Sequence, residues 1–341
     1  MKIDIYSHLI PPKLKELMFE KQKTLRELRT NLSLYDLDTR FRIMDRYPDL
    51  VQVLTVPGAT PDELAGPNGA VDLSKKINDE MAELVDKYPD RFAGGVAVLP
   101  ISNIDASLKE IDRAVKELKL RGILLRIPIN GKPVDRSEFF PVYEKMFQLN
   151  LPIWFHPHKN PKVPDYPDEA ESKYLIWHLW GLVVESTHSM TRLVLSGVLE
   201  KYPKLKIIIH HCGAMVPYFE KRIHWLMSSV RSSTAKPLAG LPGPGPQAGR
   251  QPVARVPVRN VEDHFRKFYV DTAVYGNTNA LMCGYNFYGA DHLLFGTDAH
   301  LGPAPGLTGE TITSVEHMNI PDADKEKIFT RNAVDLLRLS F

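Results

Sequence analysis

Apolar positions along the chain gather into eight short runs separated by longer stretches of mixed polarity. They are KIDIYSHLI (2–10), LVQVLTV (50–56), FAGGVAVLP (92–100), RGILLRIP (121–128), LPIWFHP (151–157), LKIIIHH (205–211), KFYVDTAVY (267–275) and HLLFGTD (292–298). Several are almost continuously apolar, as parallel strands covered on both faces must be. The stretches between them repeat with the period of a helix. Leu73, Ile77, Met81, Leu84 and Val85 form one stripe. Ile104, Leu108, Ile111, Val115 and Leu118 form another, with Asn103 placed to cap it. Residues 137–149 and 321–339 also read as helical. Strand and helix alternating eight times predict an α/β fold of the (β/α)₈ TIM-barrel type within one domain, 1–341. A doubly wound open sheet is the competing architecture, but the turn after the first run, SHLIPPK, lacks the glycine-rich phosphate loop such sheets carry.

Two segments break the alternation. Residues 11–49 are long for one connection and predict a helical excursion after the first strand. Residues 228–260, between strands 6 and 7, are rich in Pro, Gly and basic side chains, a composition expected of a flexible loop.

A formal net charge of +2 with mixed signs argues against a nucleic-acid partner. No apolar stretch approaches the roughly 20 residues of a membrane span, and the start of the chain turns charged too soon for a secretory leader. Two cysteines, Cys212 and Cys283, are too few for a disulfide framework. The expectation is a cytoplasmic protein.

In such a barrel, chemistry is carried at the C-terminal ends of the strands. The first run ends in Tyr6 and His8, the fifth in His156, the sixth in His210 and His211, and the eighth in Asp298. One histidine in an apolar strand is ordinarily a hydrogen-bonded core residue; four strands delivering His or Asp to one rim is a different matter. Imidazole and carboxylate suit one divalent ion, with Zn²⁺ expected first and Mn²⁺ as the alternative. His8, His156 and Asp298 would leave positions open for substrate. Only one of His210 and His211 can face inward, and His158 and His300 could line the mouth.

The stretches FHPH, GLVVESTHSMTRLVLSGVLEKYPKLKIIIHHCGAMVPYFEKRI, FYVDTA and GADHLLFGTDAH resemble the metal-dependent amidohydrolase superfamily, in its aminocarboxymuconate-semialdehyde and resorcylate decarboxylase branch. The resemblance spans nearly the whole chain. It implies a mononuclear site with His156 and Asp298 as ligands, and Arg126 where dinuclear relatives carry a modified lysine. It also implies His211 as the catalytic histidine, with His210 turned toward the helical layer, and Asp298 as the group that moves the proton. Arg42 and, more weakly, Arg222 would bind the carboxylate of a small-molecule acid, with Tyr6 and His158 beside it.

The departure is Tyr6, where relatives of this type commonly have His or Glu. The implied reaction is non-oxidative decarboxylation of a hydroxylated aromatic or related unsaturated acid. Hydrolysis or hydration of an amide, lactone or unsaturated acid is the alternative, and a non-catalytic, metal-free barrel is a further one because of Tyr6. The segment YLIWHLWGLVVE (174–185) is expected to be a buried helix face with His178 structural. The resemblance also implies a homodimer built through this side of the barrel.

Overall fold

The computed structural model describes residues 1–21, 28–232, 258, 260–300 and 307–340. Among them, eight strands run parallel: β1 (Lys2–His8), β2 (Leu50–Thr55), β3 (Phe92–Gly95), β4 (Ile123–Ile127), β5 (Ile153–Pro157), β6 (Ile207–Ile209), β7 (Tyr269–Asp271) and β8 (Leu293–Leu294). Regular ladders order them β1-β2-β3 and β4-β5-β6-β7-β8. Two seams join these groups into a barrel. Ala97 accepts from Leu124 at 2.8 Å and donates to Gly122 at 3.0 Å, linking β3 to β4. On the other side Ile5 N donates to Phe295 O at 2.9 Å and His8 N to Ala299 O at 2.5 Å, linking the end of β8 to β1.

Alternation sorts side chains into two layers. Ile3, Val53, Val96, Trp154, Ile208 and Leu294 pack together inside the barrel. Ile123, Ile153, Phe155, Ile207, Ile209 and Leu293 pack outward against the helices. Helix Pro61–Lys87 starts with a reciprocal Thr60–Glu63 cap and buries Leu73, Ile77, Met81 and Leu84. Helix Ile104–Lys116 is capped by Asn103, whose side chain accepts from Ala106 N at 3.0 Å. Both agree with the stripes in the sequence.

The excursion after β1 is helical where it is described, ending in helix Leu37–Met44. The predicted loop 228–260 lies almost wholly outside the described residues; its first residues continue helix Glu220–Ser232. No helix of the described residues is long and apolar enough to cross a membrane.

One expectation fails at residues 174–180. Tyr174, Leu175, Leu179 and Trp180 are exposed, Tyr174 at 86 % and Trp180 at 63 %. His178, expected to be structural, is exposed with them. Apolar spacing marks a face that wants cover but does not say what covers it.

Candidate metal centre

The β1–β2 register shifts between Asp4 and Ser7, and the shift re-aims the strand end. Ile3 and Ile5 point into the barrel, yet Tyr6, the next residue, joins the same interior cluster. His8 then follows Tyr6 inward on the ordinary two-residue repeat. Its Nδ1 lies 3.0 Å from Thr55 Oγ1, the register partner on β2, which leaves Nε2 aimed at the barrel axis. The strand end is clamped from outside by the buried Arg40 guanidinium. Arg40 donates to His8 O at 2.7 Å, Ser7 Oγ at 2.8 Å and Gln52 Oε1 at 2.9 Å. Asp4 ties β1 to the exit of β8, accepting from Thr297 N at 3.0 Å and Thr297 Oγ1 at 2.6 Å. The next residue is Asp298, held at φ 60°. A non-glycine residue in that left-handed region costs energy, and such residues gather at working sites.

The donors converge. Asp298 Oδ1 lies 3.0 Å from His8 Nε2 and 3.3 Å from His210 Nε2. One ligand-type atom from each of His8, His156 and His210 falls within a mutual 4.8 Å, and the same holds for His210, His211 and Asp298. His156 Nδ1 is 2.9 Å from the Pro157 carbonyl, which fixes the proton there and leaves Nε2 free to coordinate. His210 Nδ1 is bonded to the fully buried Asp271. His8 Nε2, His210 Nε2 and Asp298 Oδ1 are all buried, and none closes a hydrogen bond of good geometry. Buried polar atoms ordinarily do. Three of them aimed at one another's neighbourhood, on nitrogen and carboxylate oxygen, fit a divalent cation.

Electrostatics separates the groups. Burial lowers the pKa of His156 well below the usual imidazole value, with His8 and His210 adding to it, and lowers His211 to about 3. Burial opposes charge on His210 too, but the Asp271 and Asp298 carboxylates overcome it and hold His210 at about 10. Burial likewise works against charge on Asp298, yet His210 and His8 hold its carboxyl well below the carboxylate range. A cation entering here would displace the proton from any nitrogen it took. Burial, then Asp271 and Asp298, push Tyr6 far up, so it is a neutral phenol. Its hydroxyl faces Phe155 O at 3.5 Å, and its ring stacks on His210 with centroids 4.0 Å apart.

Of the residues the sequence singled out, His8 and His156 fall in one donor group and His211 and Asp298 in the other, the two groups sharing His210, and Tyr6 forms a wall of the same site. His158 sits at the rim, bonded to Arg126, which also pairs with Glu63. Arg42 and Arg222 do not join them. Arg42 is exposed and bonds Thr39 at 2.9 Å, one turn back on its own helix. Arg222 is exposed on helix Glu220–Ser232. The expected orientation of His210 is also reversed. It continues the inward parity of Ile208, whereas His211 lies beyond the strand at φ 60°. The alternation Ile208–His210, parallel to Trp154–His156 on β5, was the available signal. Asp271 and Thr55 carried no signal in the sequence, and Tyr275, at the exit of β7, donates its hydroxyl to Asp298 Oδ2 at 3.3 Å.

Residues 29–339 match the protein-family model described as Amidohydrolase. Over 332 residues the chain is 28% identical to gamma-resorcylate decarboxylase of Polaromonas sp. strain JS666, covering 94% of this chain and 93% of that protein. It is 27% identical over 364 residues to 2-amino-3-carboxymuconate-6-semialdehyde decarboxylase of Dictyostelium discoideum, covering 99% and 92%. Among solved structures, dihydroxybenzoic acid decarboxylase from Polaromonas sp. JS666, with bound manganese and the inhibitor 2-nitroresorcinol, superposes with a TM-score of 0.75. That match has 26% identity and covers 99% of this chain and 96% of the other. For 5-carboxyvanillate decarboxylase from Sphingomonas paucimobilis the TM-score is 0.80 at 19% identity, with 99% of each chain covered, a likeness of fold.

Proposed function

The chain belongs to the amidohydrolase family, and from that premise we propose that it is a metal-dependent, non-oxidative decarboxylase of a hydroxylated aromatic carboxylic acid. The observation that carries this reading is the approach of His8 Nε2 and His210 Nε2 to one buried carboxylate oxygen, Asp298 Oδ1, at the barrel mouth. His8, His156 and Asp298 would hold one divalent ion. When bound, the ion would supply a Lewis acid that grips the substrate carboxylate and its neighbouring hydroxyl. Zn²⁺ and Mn²⁺ both accept these donors, and metal analysis of the purified protein separates them.

The protein's own groups then have a proton to move. As CO₂ leaves, the electrons of the broken carbon–carbon bond remain on the ring carbon, which must take up H⁺. Asp298 is ionised in the resting site, so it first accepts a proton from the substrate's acid or hydroxyl group and then delivers it to the ring carbon. Tyr275 orients that carboxylate by its bond to Oδ2. His211, kept neutral by burial, can accept or donate a hydrogen bond to the substrate without adding charge. His158 and Arg126 present polar atoms at the rim, where the far side of a ring would lie.

Incubation with hydroxybenzoic acids in D₂O tests the reaction. Release of CO₂ with one deuterium at the vacated ring carbon is expected from the wild type, and Asp298→Asn should abolish it. Incorporation of ¹⁸O from labelled water without CO₂ release would instead establish hydrolysis or hydration. We further propose a homodimer, supported by the exposed apolar run Tyr174, Leu175, Leu179 and Trp180. Light scattering should give twice the chain mass for the wild type and the monomer mass for Leu179→Glu/Trp180→Glu.

A further inference from the structure

The geometry points to His210 as a fourth protein ligand of the ion, set by Asp271 and Tyr6, with Tyr6 itself outside the coordination sphere. This inference rests on the metal-site reading above. Three independent features of His210 carry it. Its Nε2 is buried in a side chain 1 % exposed, closes no hydrogen bond of good geometry, and shares the 4.8 Å donor group with His8 and His156. Its Nδ1 is engaged by the fully buried Asp271. Carboxylate, imidazole and metal in line is the arrangement that orients a ligating histidine and raises its basicity. Finally, Tyr6 lies flat against one face of the imidazole, interplanar angle 16°, so the ring cannot swing to that side and its Nε2 edge stays directed at Asp298 Oδ1.

Tyr6 fails the same criteria. Its hydroxyl is directed at the Phe155 carbonyl, 3.5 Å away, and its ring lies against His210 as a wall. Strand β1 therefore supplies one ligand, His8, and strand β6 supplies the nitrogen that a second β1 ligand would otherwise give. Tyr6 and Asp271 are positioning residues for that nitrogen.

The test is metal binding by the full-length, metal-stripped chain, read by chelator competition with Mn²⁺ and, separately, Zn²⁺. His210→Asn keeps a polar atom where Nδ1 bonds Asp271 but deletes Nε2. It should lower affinity at least tenfold, as His8→Asn should, while Tyr6→Phe should stay within about threefold of wild type. Asp271→Asn should cost about 10–100-fold, the usual price of losing a carboxylate behind a ligating histidine. Pulsed EPR of the Mn²⁺-loaded wild type with ¹⁵N-histidine needs no substitution, and should count three coupled imidazoles. Wild-type affinity in His210→Asn together with loss in His8→Asn, or a count of two imidazoles, overturns the His210 assignment and leaves the metal-site reading standing. A wild type that binds neither ion overturns both.

Discussion

Tyr6 and His210 form a parallel ring pair, centroids 4.0 Å apart, between the first and sixth strands of the barrel. Tyr6 is fully buried, so its contribution to the fold is packing first; the hydroxyl reaches Phe155 O only at 3.5 Å, a long contact. Deleting the ring should cost far more than deleting the oxygen. Tyr6→Ala is expected to lose about 3–5 kcal/mol, as large aromatic truncations in cores do. Tyr6→Phe should lie within about 1 kcal/mol of wild type. Urea denaturation of the three proteins measures this, and equal losses in both variants would show that the hydroxyl, not the ring, is what the site needs.

Arg40 and Arg42 lie two residues apart on one helix, about 200° around its axis, and face opposite surroundings. Arg40 is fully buried and donates to Ser7, His8, Ser33 and Gln52. Replacing it by Met would strand those buried acceptors and is expected to cost about 2–4 kcal/mol, with loss of metal binding because His8 loses its anchor. Arg42→Ala should change stability by no more than about 0.5 kcal/mol and leave the KM for the acid substrate unchanged. A large rise in KM for Arg42→Ala would restore it as a carboxylate-binding residue.

This pair also shows where sequence reading stops. The strands were legible because a run buried on both faces has to be apolar along its whole length. The rim residues His8, His156 and Asp298 were legible because strand ends in a barrel point to one place. Phase was harder. A helix pattern such as RFRIMD offers two arginines on opposite faces, and only packing decides which one is inward. At HH, the alternation from Ile208 selects His210, while resemblance to relatives selected His211; both came to the site. The register shift in β1, which brings Tyr6 inside, has no signature in composition. Strands β6 and β8 are also shorter than their apolar runs.

His158 should leave a mark on the pH dependence of stability. Burial, with neighbouring Arg126, lowers its pKa to about 4. In the unfolded chain it titrates near 6.5. Between those values the unfolded state binds a proton that the folded state refuses, so stability rises with pH across the window. The contribution is complete above about pH 6.5 and is lost as pH falls toward 4. Urea midpoints at about pH 7.5 and about pH 5 should therefore drop more for wild type than for His158→Gln. Identical drops would mean that His158 is solvated and ordinary.

Thr55 offers the mildest perturbation of the centre, because it touches the ion's surroundings only through His8. Its hydroxyl lies 3.0 Å from His8 Nδ1, on the register partner of the strand end that carries the imidazole. Thr55→Val keeps the β-branched shape and removes that one bond, so the ring is free to tilt and its tautomer is no longer fixed. Partners behind a ligating histidine typically contribute about 10–100-fold to metal affinity. Thr55→Val should accordingly weaken Mn²⁺ or Zn²⁺ binding by about that factor, and activity lost at limiting metal should return when metal is added in excess. A scaffold defect would behave otherwise: the metal-free variant would unfold at lower urea and excess metal would not rescue turnover. Chelator competition, a metal titration of activity and denaturation of the stripped protein together separate the two outcomes. Unchanged affinity would show that the barrel wall alone holds His8 in place.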